Sequence, residues 1–321
     1  SYKINSKIKN YISSYIPINS NNSFNQNLKY NSKNIYTYGI NYNVDPNIIL
    51  EGYITNSFGQ TPATSILTMP SSNEIIYGGR FVYRKNSELD KKNKNIKRSN
   101  EERVRNRENI NAAETIGVGN KTIKTGYSNN SSYFITAKTG LSENFDFEIS
   151  SELIDEENRS SSIYVKNYIA PGSYNIRGGG KVKLYSEKRG DAITNALRLT
   201  YGRVMAENRN GYLFAEIINS KKLNKGLSIN INKKFAITGN DSLTALAASI
   251  NYKINNSLYL IPEINLGLKN TQTTFNFALR KYITNQLNID SYLRNSIGNY
   301  DMSSLIRSKK INYGINIGHS F

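Results

Sequence analysis

Apolar and polar residues alternate with a period of two along most of the chain from about Ile35 onward. In residues 227–237, for example, leucine, isoleucine and phenylalanine are separated mainly by serine, asparagine and lysine. Alternation of this kind places one face of a β-strand in apolar surroundings and the other in water. The segments are about ten to twelve residues long. Soluble strands average roughly 5–6 residues, whereas a tilted strand that crosses a bilayer needs roughly 9–11, so the lengths favour a membrane barrel.

Fourteen strands are predicted from this pattern and from the Asn-, Asp-, Gly- and Ser-rich turns between the segments. Residues 181–188 could add a further strand, so twelve or sixteen strands remain open. Pro262 lies inside one segment, where it removes a ladder donor and predicts a local bulge. The predicted strands lie near 35–44, 47–57, 74–84, 131–141, 145–154, 162–169, 192–206, 212–220, 227–238, 243–254, 258–268, 273–283, 287–297 and 308–321.

The predicted fold is an all-β, closed, antiparallel transmembrane barrel of about 14 strands over residues 34–321. Lipid outside and water inside account for strands with a simple apolar face and a charged polar face. Closure removes the sheet edges, which hydrocarbon does not tolerate. An even strand number brings both ends of the barrel to the same side, with short periplasmic turns and longer external loops.

Composition excludes several kinds of chemistry. The 321 residues include 42 Lys and Arg against 24 Asp and Glu, which gives a formal charge of +18, and there is no Cys and one His. Without cysteine, a disulfide framework, a zinc–thiolate site and cysteine catalysis are excluded. The histidine, His319, shares the parity of the outward Ile317 and Phe321, which suits a catalytic base poorly. We therefore expect no enzyme activity, no metal and no cofactor.

The last segment ends the chain with a pattern of its own. Apolar or aromatic residues occupy every second position of residues 311–321, and the chain stops on an aromatic residue. This pattern resembles the C-terminal strand of Gram-negative outer-membrane β-barrel proteins, including porins, in which a terminal aromatic residue marks the chain for barrel insertion. A soluble sheet protein that happens to end on phenylalanine is the alternative. The residues that match the insertion signal are Tyr313, Ile315, Ile317 and Phe321.

The resemblance identifies an architecture rather than one activity. It implies the bacterial outer membrane, contact with outer-membrane lipids and lipopolysaccharide, and insertion by the barrel-assembly machinery. The absence of tryptophan departs from the usual aromatic girdle, although the 24 tyrosines could take its place.

Residues 85–130 are predicted as one long external loop with a strongly basic first half. Loops of this length are usually functional or disordered. Attachment to lipopolysaccharide phosphates or another anionic surface is one interpretation, and a solvated excursion is the other. Nucleic-acid binding is not expected, because aromatic residues are not interleaved with the basic ones. The basic residues here and just before are Arg84, Lys85, Lys91, Lys92, Lys94, Lys97, Arg98, Arg103, Arg105 and Arg107.

Residues 1–33 are predicted as a separate N-terminal segment. Its first part predicts an amphipathic helix, which Pro17 ends. A helix in front of a barrel resembles the pore-plugging helix of autotransporter translocator domains. A short periplasmic helix and a frayed lead-in are the alternatives. The apolar residues at helical spacing are Ile4, Ile8, Tyr11, Ile12 and Tyr15.

Thirteen charged residues have the parity of the polar face, which a barrel turns towards its lumen. Opposed acidic and basic patches generate a transverse field, as in many pores. The alternative is a filled barrel in which the charges only satisfy one another. The predicted pore-lining residues are Arg80, Arg84, Lys138, Asp146, Glu148, Glu152, Arg198, Lys234, Lys253, Glu263, Arg280, Asp290 and Arg294.

Residues 173–180 contain Arg177 followed by three glycines. They match a phosphate-binding loop poorly, because the Lys-Ser/Thr ending is missing and no helical pattern follows. We predict a flexible turn at this place.

The expected function is passive diffusion of small hydrophilic solutes through the outer membrane. The excess of inward basic residues predicts a modest preference for anions. Two alternatives stay open: a translocator with residues 1–17 inside the pore, and a structural or adhesive barrel whose loop 85–130 binds a partner. No oligomeric state is predicted.

Overall fold

The computed structural model describes residues 1–18, 21–24, 30–59, 61, 64–68, 75–84, 110–130, 132–154, 173–205, 211–238, 242–269 and 271–321. The chain divides into two compact units, Ser1–Glu88 and Leu89–Phe321. The division therefore differs from the predicted one, which separated residues 1–33 from a barrel over residues 34–321.

The first unit contains an open, antiparallel, five-stranded sheet. Its strand order is β1-β2-β5-β6-β7, and β3 and β4 form a separate two-stranded ladder. The strands are β1 (Tyr2–Lys3), β2 (Ile8–Tyr15), β3 (Ser23–Phe24), β4 (Tyr30–Asn31), β5 (Ile35–Asp45), β6 (Ile48–Thr55) and β7 (Ile76–Tyr83).

The N-terminal helix prediction is wrong, because residues 8–15 form the strand β2. Ile8 pairs with Tyr42 and Tyr15 with Ile35, so β2 lies antiparallel to β5 along its full length. The β-branched and aromatic residues that suggested helical spacing also have high strand propensity. Pairing with β5 supplies the hydrogen bonds that decide between the two structures.

One face of this sheet exposes apolar side chains. The register aligns Ile12, Tyr38, Ile54 and Tyr77 in one row across β2, β5, β6 and β7, and all four are exposed. The predicted alternation of apolar and polar residues is therefore present in these strands. The strands belong to an open sheet, however, and not to the closed barrel.

The second unit contains a closed barrel of twelve antiparallel strands, in which β8 to β19 follow one another and β19 pairs with β8. At the closing seam, Lys121 and Phe321 exchange two backbone hydrogen bonds of 2.9 and 3.0 Å. The strands are β8 (Lys121–Ser128), β9 (Tyr133–Ser142), β10 (Phe145–Ile154), β11 (Ser173–Tyr185), β12 (Thr194–Val204), β13 (Gly211–Asn224), β14 (Leu227–Ile237), β15 (Ser242–Lys253), β16 (Leu258–Leu268), β17 (Thr274–Tyr282), β18 (Leu287–Ser296) and β19 (Arg307–Ser320).

In the described part of the barrel, two short helices connect strands. A one-turn 3-10 helix (Glu187–Arg189) precedes β12, and the helix α1 (Asp301–Ser304) lies between β18 and β19. Within the described ranges, no helix is long and apolar enough to cross a bilayer. In the same ranges, no group of three or more acidic or histidine side chains is arranged to hold a metal ion.

The count of twelve corrects the predicted count of about fourteen. Ten predicted segments coincide with barrel strands, and the three near 35–44, 47–57 and 74–84 belong to the first unit. The segment near 162–169 lies outside the described residues. The prediction missed β8, which falls inside the supposed loop 85–130, and treated most of β11 as a flexible turn.

Pro262 causes an interruption of the ladder and not a bulge. On one side of Pro262, Ser249 pairs with Glu263, and on the other Tyr252 pairs with Leu260. The register is the same before and after the gap. The missing N–H therefore removes local pairing with β15 without inserting an extra residue.

The outer surface of the barrel is apolar, with exposed leucine, isoleucine and phenylalanine on every strand pair of its second half. The end that carries Lys121 and Ser320 is called the terminal end, and the end that carries Ser128 and Arg307 is called the loop end. A row of tyrosines on β19, β8, β9, β11 and β12, each between 49% and 60% exposed, lies at the loop end. Aromatic rings of this kind occupy the membrane–water interface. They are Tyr127, Tyr133, Tyr174, Tyr201 and Tyr313.

Candidate functional site

The barrel lumen brings most of the predicted charged residues together. Eleven of the thirteen lie on barrel strands, on the face opposite the exposed apolar side chains, and nine of these eleven are buried. Lys138 and Lys253 are half-buried. The eleven are Lys138, Asp146, Glu148, Glu152, Arg198, Lys234, Lys253, Glu263, Arg280, Asp290 and Arg294.

Arg80 and Arg84 are corrections to the predicted pore lining. Arg80 lies on β7 of the open sheet, where its Nη2 is 2.5 Å from the Glu51 carboxylate. Glu51 also accepts a hydrogen bond from the Tyr11 hydroxyl. Arg84 follows β7, and its backbone N–H donates to the Asn47 carbonyl at 2.8 Å. Both residues were predicted to lie on a polar face of a barrel strand. The strand β7 and its polar face belong to the first unit instead.

Residues 110–116, named the lumen strap, lie inside the barrel from the terminal end. The Ile116 N–H donates to both oxygens of Asp146, at 2.8 and 2.9 Å. The Ala113 N–H donates to the Ser220 hydroxyl at 2.9 Å. Ile110, Ala113 and Ile116 are buried. The loop predicted over residues 85–130 is therefore wrong for its last part, while residues 85–109 lie outside the described residues.

Polar wall residues bind the remaining backbone groups of the lumen strap. Asn232 Nδ2 donates to the Asn111 carbonyl at 2.8 Å, and Asn111 Nδ2 donates to Glu216 Oε2 at 2.8 Å. Lys181 Nζ donates to the carbonyls of Ala112 and Glu114. These contacts replace water on a stretch without regular structure, which would otherwise bury unpaired backbone groups.

Three glycines let the lumen strap turn into β8. Gly117 and Gly119 have positive φ angles of 74° and 76°, a conformation that glycine adopts without steric cost. Gly140 faces them from β9, and a Cβ on it would lie 1.7 Å from the Gly117 carbonyl oxygen. The path of the strap therefore depends on the missing side chain of Gly140.

Residues 297–306, named the lumen loop, fold into the barrel from the loop end. Glu152 accepts hydrogen bonds from the Asn299 N–H at 2.6 Å and the Ser303 hydroxyl at 2.7 Å. The Thr274 hydroxyl donates to the Ser304 carbonyl at 2.8 Å. The apolar side of the loop packs on an unusually apolar patch of the inner wall. This cluster contains Ile154, Tyr212, Phe214, Ala236, Leu243, Ala245, Ile297, Met302, Leu305 and Ile306.

Arg198 joins the two inserted segments in the middle of the lumen. Its Nη1 lies 2.6 Å from Asp301 of the lumen loop and 3.6 Å from Glu216, which holds the lumen strap. Its Nε donates to Glu148 at 2.8 Å. Burial alone would raise the pKa of Asp301, but the Arg177 and Arg198 guanidinium groups hold that pKa below its ordinary value. The wall, strap and loop thus share one ionic network.

A second ionic group lies nearer the terminal end. Arg280 donates to both oxygens of Asp290, at 2.6 and 2.7 Å, in a bidentate arrangement. Lys124 of β8 is 2.9 Å from the same carboxylate. Lys138 and Glu148 form a cross-strand pair of 2.9 Å between β9 and β10. Most charges that the sequence analysis assigned to the lumen are therefore paired.

Four charged residues of the network were missed by the sequence analysis. Arg177 lies in the glycine-rich stretch that was predicted as a turn, Lys181 lies in the possible further strand at 181–188, and Asp301 lies in a loop. Glu216 had a usable signal, because it is a carboxylate in the otherwise apolar run of residues 212–218. Such a residue is costly to bury without a partner and so indicates one.

The residues of the insertion signal lie on the outer face of β19. Tyr313, Ile315, Ile317 and Phe321 are between 47% and 60% exposed. His319 lies on the same face, with its ring 5.6 Å from that of Phe321. It is thus separated from the ionic network of the lumen by the barrel wall.

No protein-family model matches the chain, and no curated protein matches it. Among solved structures, it is similar to the KdgM porin in complex with disordered oligogalacturonate, with a TM-score of 0.47 and 9% identity over 63% of this chain and 99% of that one. The NanC porin gives a TM-score of 0.44 and 12% identity over 62% and 98%. An outer-membrane channel from Pseudomonas putida gives 0.44 and 11% over 65% and 98%.

The properties of the barrel identify the type of fold. The barrel is closed, antiparallel and even-numbered, and it carries apolar side chains outside and charged ones inside. This is the architecture of transmembrane β-barrels of the outer-membrane type. The predicted fold type is therefore confirmed, with twelve strands in place of about fourteen.

Proposed function

We propose that the barrel is an outer-membrane channel for small hydrophilic solutes, and that the lumen strap and the lumen loop narrow its lumen. The observation that carries this proposal is the way the lumen is filled. Two segments that are not part of the wall occupy it. Side chains of the wall hold the lumen strap by hydrogen bonds, and they hold the lumen loop by hydrogen bonds, ion pairs and an apolar cluster. The polar contacts can be exchanged for water at modest net cost.

Inward asparagines support a path for polar solutes. They occupy inward positions on each of the six strands from β14 to β19, beside an apolar cluster of Tyr259, Ile261, Ala278 and Tyr292. The carboxamide oxygens of Asn232, Asn265 and Asn276 have no partner among the described residues. Buried polar atoms in this state are usually satisfied by water. A hydrated side of the lumen supports passage of small hydrophilic solutes.

A non-conducting structural or adhesive barrel is the second candidate. It is favoured by the completeness of the closure at Arg198, which is 1% exposed and contacts three carboxylates. The basic stretch within residues 85–107 would then provide the attachment to lipopolysaccharide or another partner. A translocator with residues 1–17 in the pore has lost its basis, because residues 8–15 pair within the open sheet.

Planar-bilayer recording of the full chain separates these candidates. The test variant replaces residues 110–116 by a Gly/Ser sequence of the same length, and the control replaces the turn residues 255–257 by a Gly/Ser sequence of their own length. We expect conductance steps from the wild type and larger steps from the strap variant. Silence from both proteins would remove the channel proposal and favour the structural barrel.

A further inference from the structure

Arg294 is a buried guanidinium with an incomplete set of partners. It lies on β18, is 0% exposed, and its Nη1 donates to Asn299 Oδ1. Its Nε and Nη2 have no hydrogen-bond acceptor among the residues that the structure describes. No carboxylate oxygen of those residues lies within 4.0 Å of the group. A cation in this position is unusual, because charges are rarely buried without a partner.

The other buried arginines of the barrel are paired. Arg177 is 3.2 Å from Asp301, and Arg198 is 2.6 Å from the same residue. Arg280 is 2.6 Å from Asp290. Among the described residues of the barrel, Arg294 is therefore the one buried arginine that no acidic side chain neutralises.

An arginine cannot escape this situation by losing its proton, because the guanidinium group stays protonated in proteins. Burying an ion is costly unless an opposite charge and hydrogen bonds compensate for it. Arg294 therefore lacks, among the described residues, both a neutralising charge and acceptors for two of its donor groups. Its free Nε and Nη2 point along one edge of the guanidinium fork, an arrangement that suits an anion with one or two acceptor atoms.

The surroundings of Arg294 offer a further donor. The Tyr292 hydroxyl has no partner among the described atoms, and its ring centroid is 5.1 Å from the Arg294 guanidinium. Asn276 and Asn312 lie directly opposite Arg294 on the two neighbouring strands. The site is thus polar and positively charged, and two of its asparagines also bind carboxylates, Asn276 that of Glu263 and Asn299 that of Glu152.

We propose that Arg294 is the binding site for a small monovalent anion in the lumen, of the halide class. A single guanidinium neutralises one negative charge, which favours a monovalent ligand. The inference deepens the proposed channel function, because the remaining inward arginines are occupied by carboxylates and Arg294 supplies the free positive charge. It concerns binding, however, and so it can fail or hold independently of conduction.

The first test uses the wild-type protein with bromide as the probe. Crystals grown in sodium bromide should give an anomalous peak beside Nε and Nη2 of Arg294. A data set with ordered bromide elsewhere and no peak at Arg294 would overturn the proposal. A peak there would stand even if bilayer recordings were silent, which separates this inference from the channel proposal.

The second test compares heat-induced unfolding in chloride and in gluconate at constant ionic strength. Ligands that bind only the folded state raise its stability, so the unfolding temperature of the wild type should rise with chloride. Arg294→Gln should abolish this rise, whereas Lys221→Gln, which removes an exposed charge, should retain it. An equal chloride response in Arg294→Gln, or no response in the wild type, contradicts the proposal. Should Arg294→Gln fail to fold, the bromide peak decides.

Discussion

Gly140 is the residue at which the path of the lumen strap depends most directly on a single side chain. Its Cβ position coincides with the backbone of Gly117. Glycine at an inward position of a strand weakens that strand and often marks a close approach of another backbone. The sequence contains this glycine without any sign of what approaches it, because the approaching segment carries no periodic pattern.

Gly140→Ala should displace the lumen strap. Overpacking costs about 1–3 kcal/mol, which corresponds to about a 5- to 150-fold loss of amide protection. Hydrogen exchange followed by mass spectrometry on residues 110–116 measures this loss. Gly178→Ala is the matched control, because a Cβ there meets its nearest atom at 3.8 Å. Equal protection in both variants would refute the assigned path of the strap.

Arg198 should contribute far more to stability than an exposed cation with a similar partner. Removing one member of a buried ionic network costs about 3–5 kcal/mol, because the remaining charges stay buried. Arg198→Met should therefore lower the free energy of unfolding by that amount in a urea titration of the folded, detergent-solubilised protein.

Lys221→Met is the control for this prediction. Lys221 lies 3.4 Å from Glu187, but its side chain is 47% exposed, so its removal should cost about 1 kcal/mol or less. Comparable losses in the two variants would show that the Arg198 network does not hold the lumen together.

At the scale of elements, the sequence predicts a strand correctly where its outward face is apolar and its inward face is polar. It fails where this alternation is weak or absent. β14, β16 and β17 lie within one residue of their predicted positions, because alternation is strong and turn residues bound each strand. β8 was not predicted, because its outward face carries lysine and threonine beside Ile123 and Tyr127. The alternation of apolar and polar residues is therefore weak in this strand. β11 was missed because three successive glycines have no side chain to reveal their faces.

The inserted segments could not be predicted from period or propensity. The lumen strap and the lumen loop have little regular structure, and their positions are set by contacts with residues far away in the chain, such as Asp146 and Glu152. The inward charges themselves were predictable from parity, since a polar residue opposite a lipid-facing one must face the lumen. Their mutual pairing depends on the barrel register, which the sequence does not specify directly.

Shortening the lumen loop should open the loop end of the barrel without opening the terminal end. Replacing residues 298–305 by a short Gly/Ser turn removes one of two obstructions that lie in series, so conductance should rise modestly. Combining this change with the Gly/Ser replacement of residues 110–116 should raise conductance by more than the two single changes together. Single-channel recording measures all three proteins. A double variant no more conductive than either single variant would indicate a different obstruction.

At the scale of the whole molecule, the decisive feature is which face of the twelve barrel strands is turned towards lipid and which towards the lumen. The apolar surface of the barrel is large and continuous, and a soluble monomer rarely exposes such a surface. A bilayer removes it from water, while closure of β19 on β8 leaves no unpaired edge in hydrocarbon. The charged lumen, the plugging segments and the anion site all follow from that orientation.

Nitroxide scanning of β13 in liposomes tests this orientation most directly, because the chain has no cysteine and each label is introduced at a single site. Labels at Leu213, Ala215 and Ile217 should be accessible to oxygen dissolved in lipid and protected from a water-soluble nickel complex. Labels at Phe214 and Glu216 should show lower accessibility to oxygen, giving a period of two along the strand. Equal accessibility of both sets to the nickel complex would contradict a bilayer-spanning barrel.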